Sequence, residues 1–516
     1  MRIDKLTIGN FKNLQDFSID FDEKSLATVL VGQNGTGKSN LLEALVLIFR
    51  DLDLGAVPAF RYRISYLCRG HEIAIDADPE RAKEAVKVTL DHKPITYSKF
   101  VSAANRQYLP NYVFGYYSGP SNRLESHFEK HQQRFYKALL EGHDRTLRPM
   151  FYARLVHSQF VLLSFFTSHD PDALQFLKDY LGIEAIDSVL FVMSQPPWKS
   201  REGDPRFWYA RGVVQQFLDH LYGLALAPMR ITQRVPVGFG KSSTLEHLYL
   251  YIPDVQALGE LARSYATQQE FFKTLESTYI SQLIREVRIR VKVRNIEGAL
   301  TFRELSEGEQ QLLTVLGLLR FTKEQESLFL LDEPDTHLNP TWSQQYLNLL
   351  RQVVGENATS HVLIASHDPL VVAGLERSQV QIMQRDAGSG RVTARIPDED
   401  PKGMGIGGIL TSDLFGLRAA LDPETLGKLD RKRELATKEE LTNAERTELE
   451  QLNEILGNVD FTHSVRDPLY KQFVEAMVAL DEYRQLRKPV LSQEERERQK
   501  QLAEQILQRI KDRQSE

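Results

Sequence analysis

Two stretches of this chain combine residue types suited to handling phosphate. Gly32-Gln33-Asn34-Gly35-Thr36-Gly37-Lys38-Ser39 fits G-x-x-x-x-G-K-[ST] in full. Its glycines let backbone N–H groups turn inward around phosphate oxygens. Lys38 brings a point charge to the β- and γ-phosphates, and Ser39 offers a hydroxyl to Mg2+. Gly32, Asn34, Gly35, Gly37, Lys38 and Ser39 are the candidate nucleotide-binding residues. The second stretch, Leu328-Phe329-Leu330-Leu331-Asp332-Glu333-Pro334, is an apolar run ending in two carboxylates. Asp332 is the candidate metal ligand beside Ser39. Glu333 is the candidate to orient and activate an attacking water. ATP and Mg2+ are therefore the expected cofactors.

Such groups work only on the right elements. Leu26 to Val31 is a short apolar run suited to a buried parallel strand, and Asn40 to Phe49 has helical spacing. Strand, glycine loop and helix is the setting a phosphate loop requires. A second Gly-Lys-Ser, at Gly240-Lys241-Ser242, lacks it: Val235 stands where the first glycine belongs and no apolar strand precedes it. It reads as an ordinary loop. Arg2 to Ile8 and Phe17 to Phe21 alternate like half-buried strands, and short strands are expected between Arg61 and Tyr117. Ser121 to Thr278 reads as mostly helical, Val287 to Val293 as a strand. Helix and strand then alternate to about Ile382, and charged helices follow, among them Leu441–Leu456 and Glu494–Lys511. Thr442 and Glu445 form a capping-box pattern.

Composition bounds the rest. The 516 residues amount to about three domains at roughly 150 each. A net charge of −6 excludes a polycation that coats nucleic acid by bulk charge. The one cysteine, Cys68, excludes an internal disulfide framework and a multi-cysteine zinc site. The opening MRIDKLTIGNFKNL has no apolar signal-peptide core, and the apolar stretch Phe160–Phe166 is far short of a membrane span. A cytoplasmic protein is expected, with no membrane partner.

Thr301-Phe302-Arg303-Glu304-Leu305-Ser306-Glu307-Gly308-Glu309-Gln310-Gln311 precedes the carboxylate strand. It resembles the signature of ABC-type ATPase heads, in the Leu-Ser-x-Gly-Glu form of the SMC, RecF and OLD-like branch. It departs from the transporter form, which has Gly at position 307 and Gln at 309. The resemblance implies an α/β fold: an ABC-type P-loop head with a helical insertion and a C-terminal helical region. It implies a homodimer, or a higher homo-oligomer, through the heads. Ser306 and Gly308 would then act in trans on the ATP of a second subunit; a plain helix cap is the alternative. It also implies that His367, after the apolar run His361–Ala365, is the switch residue contacting the γ-phosphate and Glu333. Asp335-Thr336-His337 takes the D-loop position, with capping of the next helix as the other reading of His337. Lys12 and Asn13 fall either near the adenine or on a surface turn. No Q-loop glutamine stands out; Arg123, after Tyr116-Tyr117, is a candidate phosphate or partner contact.

The interval from Ser39 to Leu305 sustains no heptads, so an SMC-like coiled-coil arm is not expected. Asp398-Glu399-Asp400 has the acidic pattern of an OLD-type Toprim nuclease, but Pro397 precedes it and no matching glutamate lies upstream; it reads as a solvated loop. The tail, Gly407 to Leu417, Leu421 to Thr425 and Leu441 to Glu445, resembles the PtuA-type ATPases of Septu anti-phage systems, retron-attached ones included. That implies an HNH nuclease partner, PtuB-like, and nucleic acid contacted through the complex. The expected domains are 1–120 and 285–395 for the head, 121–284 for a helical lid and 396–516 for a partner-binding region. A RecF-like DNA repair ATPase and an autonomous OLD-like nuclease are the alternative functions.

Overall fold

The computed structural model describes residues 1–22, 24–143, 148–167, 171–238, 240–322, 326–354, 359–386, 388–438, 440–456, 473, 476–477, 480–486 and 491–515. The chain divides into two compact units. The first is Met1–Val371 with Ser378–Arg395, the second Val372–Arg377 with Ile396–Glu516.

Among the described residues the first unit carries three sheets. One is an antiparallel meander with the order β2 (Leu14–Asp20), β1 (Arg2–Phe11), β4 (Tyr62–Cys68), β5 (His71–Ala77), β6 (Val86–Leu90) and β7 (Lys93–Ile95). The central sheet runs β18 (Val392–Arg395), β17 (Val380–Arg385), β3 (Ala27–Val31), β16 (His361–Ala365), β15 (Ser327–Asp332), β8 (Tyr112–Tyr117) and β9 (Met150–Tyr152). Its pairs are parallel except that of β17 with the edge strand β18. β3, β15 and β16 are buried at every residue, as parallel strands covered on both faces must be.

The helix Lys38–Leu54 is apolar nearly all round, with Leu41, Leu42, Ala44, Leu45, Val46, Leu47, Ile48 and Phe49 buried. A helix without a polar face has to be enclosed. Its side chains join one core cluster with Leu6, Ile8 and Phe17 of the meander and Leu30, Leu328 and Leu363 of the central sheet. Each such buried side chain is worth about 2 kcal/mol. This core fixes the helix whose first turn carries Lys38 and Ser39.

The reading of 121–284 as a helical insertion needs correction. Helices do occur there, at Val156–Phe166, Gly212–Leu224, Val255–Arg263 and Gln268–Ile280. They share the span with three strands of a third sheet, antiparallel, ordered β11 (Leu226–Gly238), β12 (Lys241–Ile252), β10 (Ile183–Ser194), and then β13 (Ile284–Val293) and β14 (Leu300–Thr301), which lead on beyond the span in the chain. The reason is periodicity. Leu248, Leu250 and Ile252 are buried while Tyr249 and Tyr251 are not, an alternation of two that a helix cannot produce. Phe191 of β10 packs against Phe217 of the helix Gly212–Leu224, ring centroids 6.2 Å apart.

The second unit is helical among its described residues. The helices Pro423–Ala436 and Asn443–Leu456 are joined by a two-pronged ion pair: Arg431 Nε and Nη2 each donate to Glu448 at 2.8 Å. The capping box read at Thr442 and Glu445 is present: Thr442 N–H donates to Glu445 Oε2 at 3.0 Å and Glu445 N–H to Thr442 Oγ1 at 3.3 Å. No helix among the described residues is long and apolar enough to cross a membrane.

Candidate functional site

Strand order creates the site. β3, β16, β15 and β8 are successive parallel neighbours, and Leu30 pairs with Ala365, Ala365 with Asp332, and Asp332 with Tyr117. Their C-terminal ends therefore stand in one row. Four segments leave that row: the Gly32–Ser39 loop, Ser366–Asp368, the turn at Glu333, and Ser118–Arg123. A crevice at strand C-termini is where open α/β sheets bind ligands.

In the phosphate loop Gly32, Gly35 and Gly37 have φ of 147°, 83° and 94°. Gly37 is the N-cap of the helix Lys38–Leu54, and a Cβ there would stand 2.9 Å from Asn13 Oδ1. Glycine is thus required both by backbone angle and by space. Asn34 is exposed on the loop. Lys38 Nζ folds back to donate to Gly32 O at 2.7 Å and Gln33 O at 3.3 Å. Burial lowers its pKa to about 8, against the pull of Asp332 and Glu333.

Lys12 and Asn13 are not idle surface residues. Asn13 Nδ2 donates to Gly35 O at 2.9 Å, and Asn40 Nδ2 donates to Asn13 Oδ1 at 2.7 Å. Lys12 pairs with Glu43, one turn along the helix, and His127 Nε2 lies 2.9 Å from the other Glu43 oxygen. Burial pushes the Glu43 carboxyl up, but His127 and Lys12 outweigh it and hold it below its usual range. This clamp on the loop and its helix was missed in the sequence, because Glu43 there is one more charged residue in an apolar helix.

The carboxylates stand opposite. Ser39 Oγ donates to Asp332 Oδ1 at 3.0 Å, and Arg123 Nη2 donates to Asp332 Oδ2 at 2.8 Å. The Asp332 side chain is 4% exposed. Burial raises its pKa; Ser39 and Arg123 oppose that. A hydroxyl and a buried carboxylate side by side are a donor set that suits Mg2+. Glu333 sits at φ 54°, unusual for a non-glycine residue, and its N–H donates to Ala365 O at 2.8 Å. His367 Nε2 lies 3.4 Å from Glu333 Oε1. Burial, then Lys38, lowers the His367 pKa, so the imidazole is neutral at pH 7. Behind them Ser366 Oγ donates to Asp335 Oδ2 at 2.7 Å, and burial pushes the Asp335 carboxyl up to about 6. The sequence placed Asp335 at the D-loop position and gave Ser366 no role.

Ser306 and Gly308 lie in a second cluster. Ser306 precedes the helix Glu307–Thr322; its N–H and Oγ donate to Glu309 Oε2 at 2.6 and 2.7 Å, and Glu309 N–H returns to Ser306 Oγ at 3.3 Å. In the single chain Ser306 is thus a helix cap. It is exposed, whereas Gly308 is buried. A Cβ on Gly308 would stand 2.3 Å from His337 O, so the signature helix and the D-loop meet closely there. His337 Nδ1 is 3.5 Å from Glu307 Oε2.

The second Gly-Lys-Ser lies at a hairpin turn, with Gly238 paired to Lys241 across β11 and β12. Asp398, Glu399 and Asp400 are exposed, and Asp400 Oδ1 accepts from Arg377 N at 2.7 Å. Among the described residues no group of three or more His, Cys, Asp or Glu could hold a metal ion.

The strand order, the phosphate loop and the paired carboxylates together form an α/β P-loop nucleotide site of the ATPase kind. Residues 1–105 match the family model described as "AAA ATPase domain". Residues 199–373 match the one described as "AAA domain, putative AbiEii toxin, Type IV TA system". The chain is 29% identical over 93 residues to Septu protein PtuA of Bacillus mycoides (strain KBAB4), which is 18% of this chain and 12% of that protein. It is 46% identical over 48 residues to the DNA replication and repair protein RecF of Leptospira interrogans (strain Fiocruz L1-130), 9% of this chain and 13% of RecF. The chain thus aligns with 12% to 13% of the length of these curated relatives. Among solved structures, the SMC head domain from Thermotoga maritima is 13% identical with a TM-score of 0.32, covering 77% of this chain and 99% of that one. The SMC head bound to the C-winged helix domain of ScpA is 12% identical with a TM-score of 0.34, covering 77% and 98%.

Proposed function

We propose that this chain hydrolyses ATP, pairs head to head with a second copy around two nucleotides, and uses that cycle to control an HNH nuclease in anti-phage defence. The observation that carries the ATPase reading is the cluster itself: Lys38, Ser39, Asp332, Glu333 and His367 share one crevice at the ends of three adjacent strands. Phosphate draws Lys38 Nζ away from the carbonyls of Gly32 and Gln33. Ser39 and Asp332 would hold Mg2+, which would supply positive charge against the phosphate oxygens. Glu333 orients a water and takes its proton as the new P–O bond forms and the bond to ADP breaks. The neutral His367 holds the Glu333 carboxylate in place. Ser306 and Gly308 face the nucleotide of the second copy.

The nuclease partner rests on the local likeness to PtuA and on the tail motifs between Gly407 and Glu445. In this reading the second unit binds the nuclease, and the complex works in the cytoplasm, reaching nucleic acid through it. The local likeness to RecF supports a second reading, an ATPase that loads on DNA itself. Tagged wild type and Glu333→Gln, pulled down from the native host in ATP, separate the two. A stoichiometric small HNH nuclease in the mass spectrum is expected, with ATP-dependent recovery. This chain alone, with hydrolysis stimulated by DNA, overturns the defence reading in favour of the RecF-like one. Metal-dependent DNA cleavage by the purified chain, abolished by alanine at Asp398 and Asp400, would overturn both.

A further inference from the structure

We propose that Arg123 is the counter-cation of Asp332 in the nucleotide-free head, and that a divalent ion entering beside Ser39 has to displace it. This rests on the nucleotide-site reading above and adds a control to that site. Asp332 ends an apolar strand buried at every residue. A carboxylate so placed is costly without a cation or several donors. Ser39 supplies a neutral hydroxyl to one oxygen. Arg123 supplies a charged donor to the other, at 2.8 Å. Lys38 is turned away, onto the carbonyls of Gly32 and Gln33.

The aim of Arg123 is built into the sheet. Tyr117 and Asp332 are register partners on adjacent strands. Arg123 returns from the following loop to lie over the Tyr117 ring, its guanidinium carbon 4.8 Å from the centroid. Platform and target are thus neighbouring rungs of one ladder. The Arg123 side chain is 38% exposed and makes one hydrogen bond to Asp332. An ion pair open to water on one side is weak enough to exchange. A doubly charged ion at the same carboxylate takes the oxygen and repels the guanidinium. Metal entry is thereby coupled to the segment after β8. That segment also carries His127 on Glu43, and Ser126 Oγ donates to Arg123 O at 3.0 Å.

The test uses Mn2+ as the probe, titrated into the full chain with ADP and followed by the electron paramagnetic resonance of free Mn2+. Wild type, Arg123→Ala and Arg123→Lys are compared, with Asp332→Asn as the variant lacking the site. Metal-free nucleotide binding is measured in EDTA with a fluorescent ADP. Arg123→Ala is expected to bind Mn2+ roughly three- to fivefold tighter than wild type, the range of a half-exposed ion pair. Arg123→Lys should fall between them, and should serve alone if the alanine variant does not fold. Equal or weaker Mn2+ binding in the variants, with metal-free ADP binding intact, overturns the proposal. Failure of wild type to bind ADP in EDTA and with Mn2+ alike overturns the nucleotide-site reading itself.

Discussion

Ser39 Oγ and Asp332 Oδ1 lie 3.0 Å apart although 293 positions separate them in the chain. The contact joins the first turn of the phosphate-loop helix to the end of β15. The contact sets a hydroxyl and a buried carboxylate side by side. Asp332→Asn keeps the shape of the pair and removes its charge. Nucleotide affinity in EDTA should be unchanged, while the gain on adding Mg2+ should fall by about tenfold or more, the worth of a charged contact. Equilibrium titration with and without Mg2+ checks this.

Glu333 and His367 stand on adjacent strand ends. Glu333→Gln should lower the hydrolysis rate by about 10²- to 10⁴-fold, the range for loss of a general base. ATP binding should remain. If hydrolysis resolves the dimer, the variant should accumulate as a dimer in ATP, visible by light scattering after gel filtration. His367→Ala should slow hydrolysis less, because it orients Glu333 rather than taking the proton.

The signature cluster makes a test of action in trans. Ser306→Arg blocks that helix end, and Lys38→Ala empties the phosphate loop, so each variant alone should be inactive. If Ser306 serves the other copy, an equal mixture forms mixed dimers with one sound site, and about a quarter of wild-type activity returns. No recovery on mixing would place Ser306 as a cap only. Ser306→Ala should in either case cost about 1 kcal/mol of helix stability.

His361 sets an acid limit. Its Nδ1 accepts from Ile3 N at 3.1 Å, and Nε2 lies 3.5 Å from Thr28 Oγ1. Burial, with Arg2 nearby, lowers its pKa to about 3 from the ordinary 6.5. The unfolded chain takes up this proton near pH 6.5, the folded one only near pH 3. Stability from the neutral ring is therefore complete above about pH 6.5 and is lost as pH falls toward 3, about 4–5 kcal/mol in all. Thermal unfolding between pH 7 and 4 should show a steeper loss in wild type than in His361→Gln.

By itself the sequence determined the parts whose chemistry is local. The Gly32–Ser39 loop, the carboxylates Asp332 and Glu333 after the apolar run from Leu328, and the capping box at Thr442 and Glu445 each depend on backbone geometry within a few residues, so residue type and spacing suffice. The absence of a sustained heptad was legible for the same reason. The tertiary structure decided what depends on strand order. Inserting β16 between β3 and β15 is a choice of the whole core, and it alone brings His367 to Glu333. The pairing of β8 with β15 set Arg123 on Asp332, where the sequence offered only a phosphate or partner contact. The Glu43 clamp escaped because its partners Lys12 and His127 come from other elements, and β10 to β12 escaped because their alternation of two is short and set among helices. Two residues from opposite ends of a chain become neighbours only when every buried face between them has found its partner.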